Sequence, residues 1–293
     1  MRNNLPGTAI HGTRIRIIND EAVSAVQPGR LKRGLFDWDG NFSRLRMGWE
    51  RVMAPMMVNA ICGAKEPDSA TASAVDRYIS DTTGIRTIEQ MRGLVDMVRE
   101  AGNVPEAEVL DAWGYKRMYL EALMVPVNQR IAEIANSGSF MAQNMQIPGS
   151  LLALKALTKL GVRLDGFSGT DEPDVICESE VLKLRQFFAS IHGAAVAHNP
   201  GEPEIDKADV LRAVLSEDGV DNSQVFGGGD GPVEIRVLKE SGCLAIGVAS
   251  DEEHCSGCFE PKKFKRLLDA GADVIMPDWR YYGALIKHVL KLA

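Results

Sequence analysis

The chain has 293 residues, 45% of them hydrophobic and 25% charged, with a net charge of −7. That length holds one large domain or two ordinary ones, and the composition is that of an ordinary globular protein. The acidic balance excludes broad nucleic-acid or anionic-membrane binding, and no apolar run approaches the roughly 20 residues that span a bilayer. 

Residues 1–30 read as an irregular extension with one short strand, Arg14 to Ile18, and no signal peptide. An apolar strand follows and ends in Leu35-Phe36-Asp37-Trp38-Asp39-Gly40. From Arg44 to about Gly161 the pattern is largely helical, with apolar residues at helical spacing over Gly48–Ile61, Ser73–Ile79, Ile88–Val98 and Lys116–Ile134. Thr87-Ile88-Glu89-Gln90 resembles a capping box opening the third of these, and Gly102 closes it. A further helix, Leu151–Leu160, stops at Gly161. Strands and helices then alternate: strand Val162–Phe167, helix Asp174–Phe188, helix Lys207–Leu215, strand Gln224–Gly227, helix Val233–Glu240. Strand Cys243–Val248, helix Pro261–Ala270, strand Asp273–Met276 and helix Tyr281–Leu292 complete the series.

Such alternation implies an α/β fold, a doubly wound parallel sheet with crossover helices. An inserted helical unit of about a hundred residues follows the first core strand, too long for a plain loop. The expected organisation is an extension over 1–30, an α/β core over 31–43 and 148–293, and a helical cap over 44–147. The five scattered cysteines fit reduced thiols, and hence a cytoplasmic protein, better than a disulfide framework.

Asp37 and Asp39 point the same way if the strand continues through them, and Gly40 lets the backbone turn just beyond. Two carboxylates at a buried strand end need a cation between them, or one keeps its proton. A lone pair of this kind also occurs as a polar strand end, so the other strand ends matter. Gly166-Phe167-Ser168-Gly169-Thr170-Asp171 offers a hydroxyl and an approachable backbone N–H to one phosphate oxygen, or simply caps the next helix. Lys207 opens a helix, where a lysine is ordinarily a solvated charge. Gly227-Gly228-Gly229-Asp230-Gly231-Pro232-Val233-Glu234 sets two carboxylates at a glycine-rich turn, a donor set suited to Mg²⁺.

In this order, Asp37-Trp38-Asp39-Gly40, Ser168-Gly169, Lys207 and Gly229-Asp230…Glu234 closely resemble the four motifs of the haloacid dehalogenase (HAD) superfamily. The resemblance runs from about residue 31 to the C-terminus, with the wider sequence similar to the phosphoglycolate-phosphatase-like branch. The helical insert lies where that family's first type of cap (C1) lies. Asn41 stands where Thr usually follows the first motif, and Glu234 replaces the usual final Asp. 

The resemblance implies a Mg²⁺-dependent phosphatase of a small phosphorylated metabolite, working through an aspartyl-phosphate. Asp37 would be the nucleophile and Asp39 the general acid–base, with Mg²⁺ held by Asp37, the Asp39 carbonyl and Asp230, and Glu234 supporting it. Ser168, Gly169 and Lys207 would hold the phosphoryl oxygens. A phosphomutase of the same superfamily and a non-catalytic phosphometabolite-binding protein are the alternatives, in a monomer or homodimer.

Weaker signals remain. Thr83-Gly84-Ile85-Arg86-Thr87 is a polar loop at a helix start, so Arg86 and Gln90 are candidate substrate contacts and equally an ordinary capped loop. His254-Cys255-Ser256-Gly257-Cys258 has a CxxC but no second ligand pair nearby, and reads as a loop with free thiols. The methionines Met47, Met53, Met56 and Met57 are helix-packing residues or an adaptable lid.

Overall fold

A computed structural model describes residues 5–194, 207–217, 219 and 221–292, with only the backbone of Lys207. Its strands are β1 Thr8–Ala9, β2 Arg16–Ile17, β3 Arg33–Asp37, β4 Arg163–Asp171, β5 Ser190–Ala194, β6 Val225–Gly229, β7 Leu244–Val248 and β8 Val274–Met276. They form one sheet in the order β1-β2-β8-β7-β6-β3-β4-β5. From β3 to β8 every pairing is parallel, and β1 and β2 add antiparallel at the β8 edge. The fold class is α/β, a mostly parallel sheet sandwiched between helices.

The helices are α1 Asp20–Ala25, α2 Trp49–Cys62, α3 Ser69–Asp81, α4 Thr87–Ala101, α5 Ala112–Ser137, α6 Ser139–Asn144, α7 Ser150–Lys159, α8 Glu172–Val181, α9 Lys207–Leu215, α10 Pro232–Glu240 and α11 Pro261–Asp269. Strand alternation sorts the sheet residues between two cores. Phe36, Phe226, Ile246 and Val274 face one layer with α1, α7, α8 and the C-terminal segment. Leu35, Val225, Ala245 and Ile275 face the other with α9, α10 and α11. Helices α2 to α5 close their own core around Met57, Leu94, Val98, Tyr115 and Val127. The end of α5 and α6 contribute Ile134 and Ala142 to the first core instead.

Four local readings change. The extension is more ordered than its glycines suggest: Asn19 accepts the Ala22 N–H at 3.1 Å and starts α1. The helix expected to reach Phe188 stops at Val181, because Lys183 turns left-handed (φ 60°), and β5 follows. That strand is tucked so tightly that a Cβ on Gly193 would lie 2.4 Å from Glu172 Cα. The N-cap of α4 is Arg86, without a side-chain cap bond, so Thr87 begins the helix itself rather than capping it. Finally, Leu285–Val289 winds as a wider π turn, which brings Leu285, Ile286, Val289 and Leu290 onto one buried face.

Candidate active site

In register, Asp37 ends β3 beside Phe167 of β4, and Phe36 lies beside Gly228 of β6. The carboxyl ends of these three central strands therefore deliver Asp37, Ser168 and Asp230 to one crevice, where open α/β sheets place ligands. Close approach dictates the glycines. A Cβ on Gly227 would stand 1.9 Å from the Leu35 carbonyl oxygen, and one on Gly229 would stand 2.4 Å from Asp37 Cβ. Gly40, at φ +69°, passes so near Asp230 that a Cβ would fall 2.2 Å from its Oδ2.

Carboxylate oxygens of Asp37, Asp230 and Glu234 lie within 4.8 Å of one another, the one metal-competent cluster among the described residues. Three hard oxygen donors at this spacing fit a divalent cation such as Mg²⁺. Glu234 Oε1 also accepts the Gly231 N–H at 2.8 Å, which fixes the turn carrying Asp230. His254, Cys255 and Cys258 form no such cluster, and the thiols are free.

Asp39 is held differently. Its Oδ2 accepts from Thr170 Oγ1 at 2.9 Å and Ser168 Oγ at 3.2 Å, while its buried Oδ1 has no hydrogen-bond partner. Burial raises its pKa above the usual carboxylate value, and Asp230 adds to this. Arg46 and the two hydroxyls only partly offset the shift. The two acids of the pair thus differ: one lies in a carboxylate cluster that could hold a cation, the other is inclined to keep a proton.

The loop beyond them is pinned from far along the chain. Asn41 Nδ2 donates to the Asp37 carbonyl at 2.9 Å, and Trp279 Nε1 donates to the Asn41 carbonyl at 2.9 Å. The unusual Asn41 is therefore a strut for the loop.

Lys263, near the start of α11, drives its ammonium against Asp230 Oδ2 at 2.8 Å, Ser250 Oγ at 3.0 Å and Glu252. Ser250 Oγ in turn donates to the Gly40 carbonyl at 2.5 Å. Burial opposes the charge on Lys263, but Asp230 and Glu252 outweigh it and raise its pKa. Burial pushes the Glu252 carboxyl up despite Lys263. Removing one member of a buried pair strands the other charge, so Lys263→Met should cost about 3–5 kcal/mol in a urea titration. Adding Glu252→Gln should recover part of that loss.

A cavity of about 110 Å³ opens between this crevice and the cap, lined from the core by Asp37, Asp39, Ser168, Gly169, Asp230 and Glu252. Thr83, Ile85, Gln90, Tyr119 and Leu123 line it from the cap side. The cap is tied down by Lys116 of α5, whose Nζ meets Asp171 at 2.7 Å.

Gln90 thus reaches the cavity wall, with its Nε2 donating to Thr82 Oγ1 at 3.2 Å. Arg86 is buried nearby but pairs with Glu89 at 2.7 Å and is not among the walls. Lys207 occupies the first position of α9, and its side chain lies outside the described residues. Arg46, Tyr119, Glu252 and Lys263 carry no signal in the sequence, since none stands in one of the motifs, and Thr170, inside the Ser168 segment, gains its role only through its bond to Asp39.

No family model and no curated protein matches the chain. Solved structures do. A predicted phosphoglycolate phosphatase from Haemophilus somnus shares 12% identity at a TM-score of 0.54, covering 88% of this chain and 98% of its own. A haloacid dehalogenase-like hydrolase from Streptococcus pneumoniae shares 16% at 0.52, covering 88% and 98%. A beta-phosphoglucomutase from Clostridium difficile shares 14% at 0.55, covering 88% and 97%. At such identities the likeness is one of architecture: the chain has the fold of the haloacid dehalogenase-like hydrolases.

Proposed function

We propose that the protein is a Mg²⁺-dependent phosphatase that hydrolyses a small phosphate monoester through an aspartyl-phosphate at Asp37. The observation that carries this reading is the division of labour within the aspartate pair. Asp37 converges with Asp230 and Glu234, whereas Asp39 sits on two hydroxyls with a raised pKa and an unpaired oxygen. The cavity's size favours a metabolite over a protein substrate.

In this reading Asp37 and Asp230 hold the cation, with Glu234 steadying their loop. Bound there, the cation offsets repulsion between the nucleophilic carboxylate and a phosphate dianion. An Asp37 oxygen forms a bond to phosphorus as the bond to the ester oxygen breaks. Asp39 delivers its proton to that departing oxygen, then accepts one from the water that attacks phosphorus and frees Asp37. Ser168 Oγ and the Gly169 N–H supply donors for the phosphoryl oxygens. Lys207 is assigned to the same oxygens on the sequence resemblance alone.

Phosphate release from a panel of esters should be lost in excess chelator and restored by Mg²⁺. Ca²⁺ should restore little, because its looser coordination misplaces the nucleophile. Full turnover in chelator would overturn the metal assignment, and an isomerised sugar phosphate without free phosphate would mark a mutase.

A further inference from the structure

We infer that the cap side of the cavity is a subsite for a neutral, hydroxylated leaving group, read by Tyr119 and Arg46; this rests on the phosphatase reading. Tyr119, from α5, is 4% exposed and lines the cavity, and its hydroxyl makes no hydrogen bond among the described residues. Arg46 lines the same cavity from the loop after β3. Its Nε and Nη2 donate to Glu178 Oε1 at 3.0 and 2.7 Å, and Nη2 also meets Asp174 at 3.2 Å. Its Nη1 has no partner among the described residues.

Both side chains lie within electrostatic reach of Asp39, the acid assigned to the leaving oxygen. Lining the same cavity as Asp39, they border the space open to a leaving group. Neither donor atom is sealed off in the protein interior, so an occupant of the cavity gains by presenting oxygen to them. Trp49, Ile85 and Leu123 give its carbon skeleton an apolar wall.

Charge decides which oxygen. Asp37, Asp39, Asp230 and Glu252 line the cavity, and Arg46 is already matched by Glu178 and Asp174. Lys263 offsets Asp230 and Glu252, and Arg46, the one cation among the described lining residues, is already ion-paired, so a carboxylate on the leaving group would find no uncommitted counter-charge there. A hydroxyl instead accepts from Tyr119 or Arg46 and still donates to a neighbouring carboxylate.

The test compares glycerol phosphate, propyl phosphate, phosphoglycolate and nitrophenyl phosphate on the parent protein and on Tyr119→Phe. The same intact alkyl esters are titrated calorimetrically into Asp37→Asn, with and without Tyr119→Phe. The parent should favour glycerol phosphate over both propyl phosphate and phosphoglycolate. Loss of the Tyr119 hydroxyl should lower the ratio of glycerol to propyl phosphate about tenfold, in kcat/KM and in affinity alike. Preference for phosphoglycolate, or a ratio untouched by Tyr119→Phe, overturns the subsite. Failure of the parent to turn over any ester, nitrophenyl phosphate included, counts instead against the phosphatase reading. The calorimetric ratio then decides the subsite by itself.

Discussion

Asp37→Asn should abolish phosphate release and phosphoenzyme formation while leaving the fold intact. The amide matches the carboxylate in size but is no nucleophile. The Asp37 backbone carbonyl, which anchors Asn41, is retained. Removing one of three crowded carboxylates also relieves repulsion, so the thermal midpoint should hold or rise. Mass analysis of acid-quenched protein after exposure to an activated ester checks the covalent step. The parent should carry a phosphoryl group on Asp37 and the variant none. Beryllofluoride should bind the parent at the same carboxylate. Phosphate recovered on Ser168 would overturn the assignment.

Asp39→Asn should fail in a different way. It keeps the shape of the side chain, and the amide carbonyl can still accept from Ser168 and Thr170. What it loses is the transferable proton. Turnover of alkyl esters should fall by about 10²–10⁴-fold, the usual worth of general acid–base catalysis. Nitrophenyl esters, whose leaving group needs little protonation, should lose much less in the first step. The phosphoenzyme should then accumulate, because activation of the incoming water is also impaired. Magnesium affinity measured by calorimetry should stay near the parent value. Equal losses for alkyl and nitrophenyl esters, with no intermediate from either, would show that Asp39 is not the acid–base.

These two variants probe what was most legible in the chain. The pair at Asp37 and Asp39 is local: strand alternation and the turn at Gly40 follow from neighbouring residues. The Asp230 turn is legible as three consecutive glycines, although the close approaches that require them come from Leu35, Ile246 and Asp37 on the neighbouring strands. The extension, β5 and the C-terminal turn were harder to read. Two-residue strands carry no periodic signal, and β5 holds its edge position by glycine packing instead of alternation. The π turn answers to the core beneath it, which takes up four apolar side chains at once.

By itself the sequence determined the alternating α/β order, the helical insert, and the strand ends at which carboxylates, hydroxyl and glycines gather. Those depend on short-range periodicity and backbone freedom, which neighbouring residues dictate. Only the tertiary structure decided which groups surround the aspartates. Trp279 steadies Asn41, Lys263 reaches Asp230, Glu178 of α8 seizes Arg46, and Tyr119 of the cap lines the cavity. Each pairing joins residues tens to hundreds of positions apart, or lies across the cavity from its counterpart. Burial and charge set in place by packing, which no local pattern encodes, raise the pKa of Asp39 and shape the cavity around it.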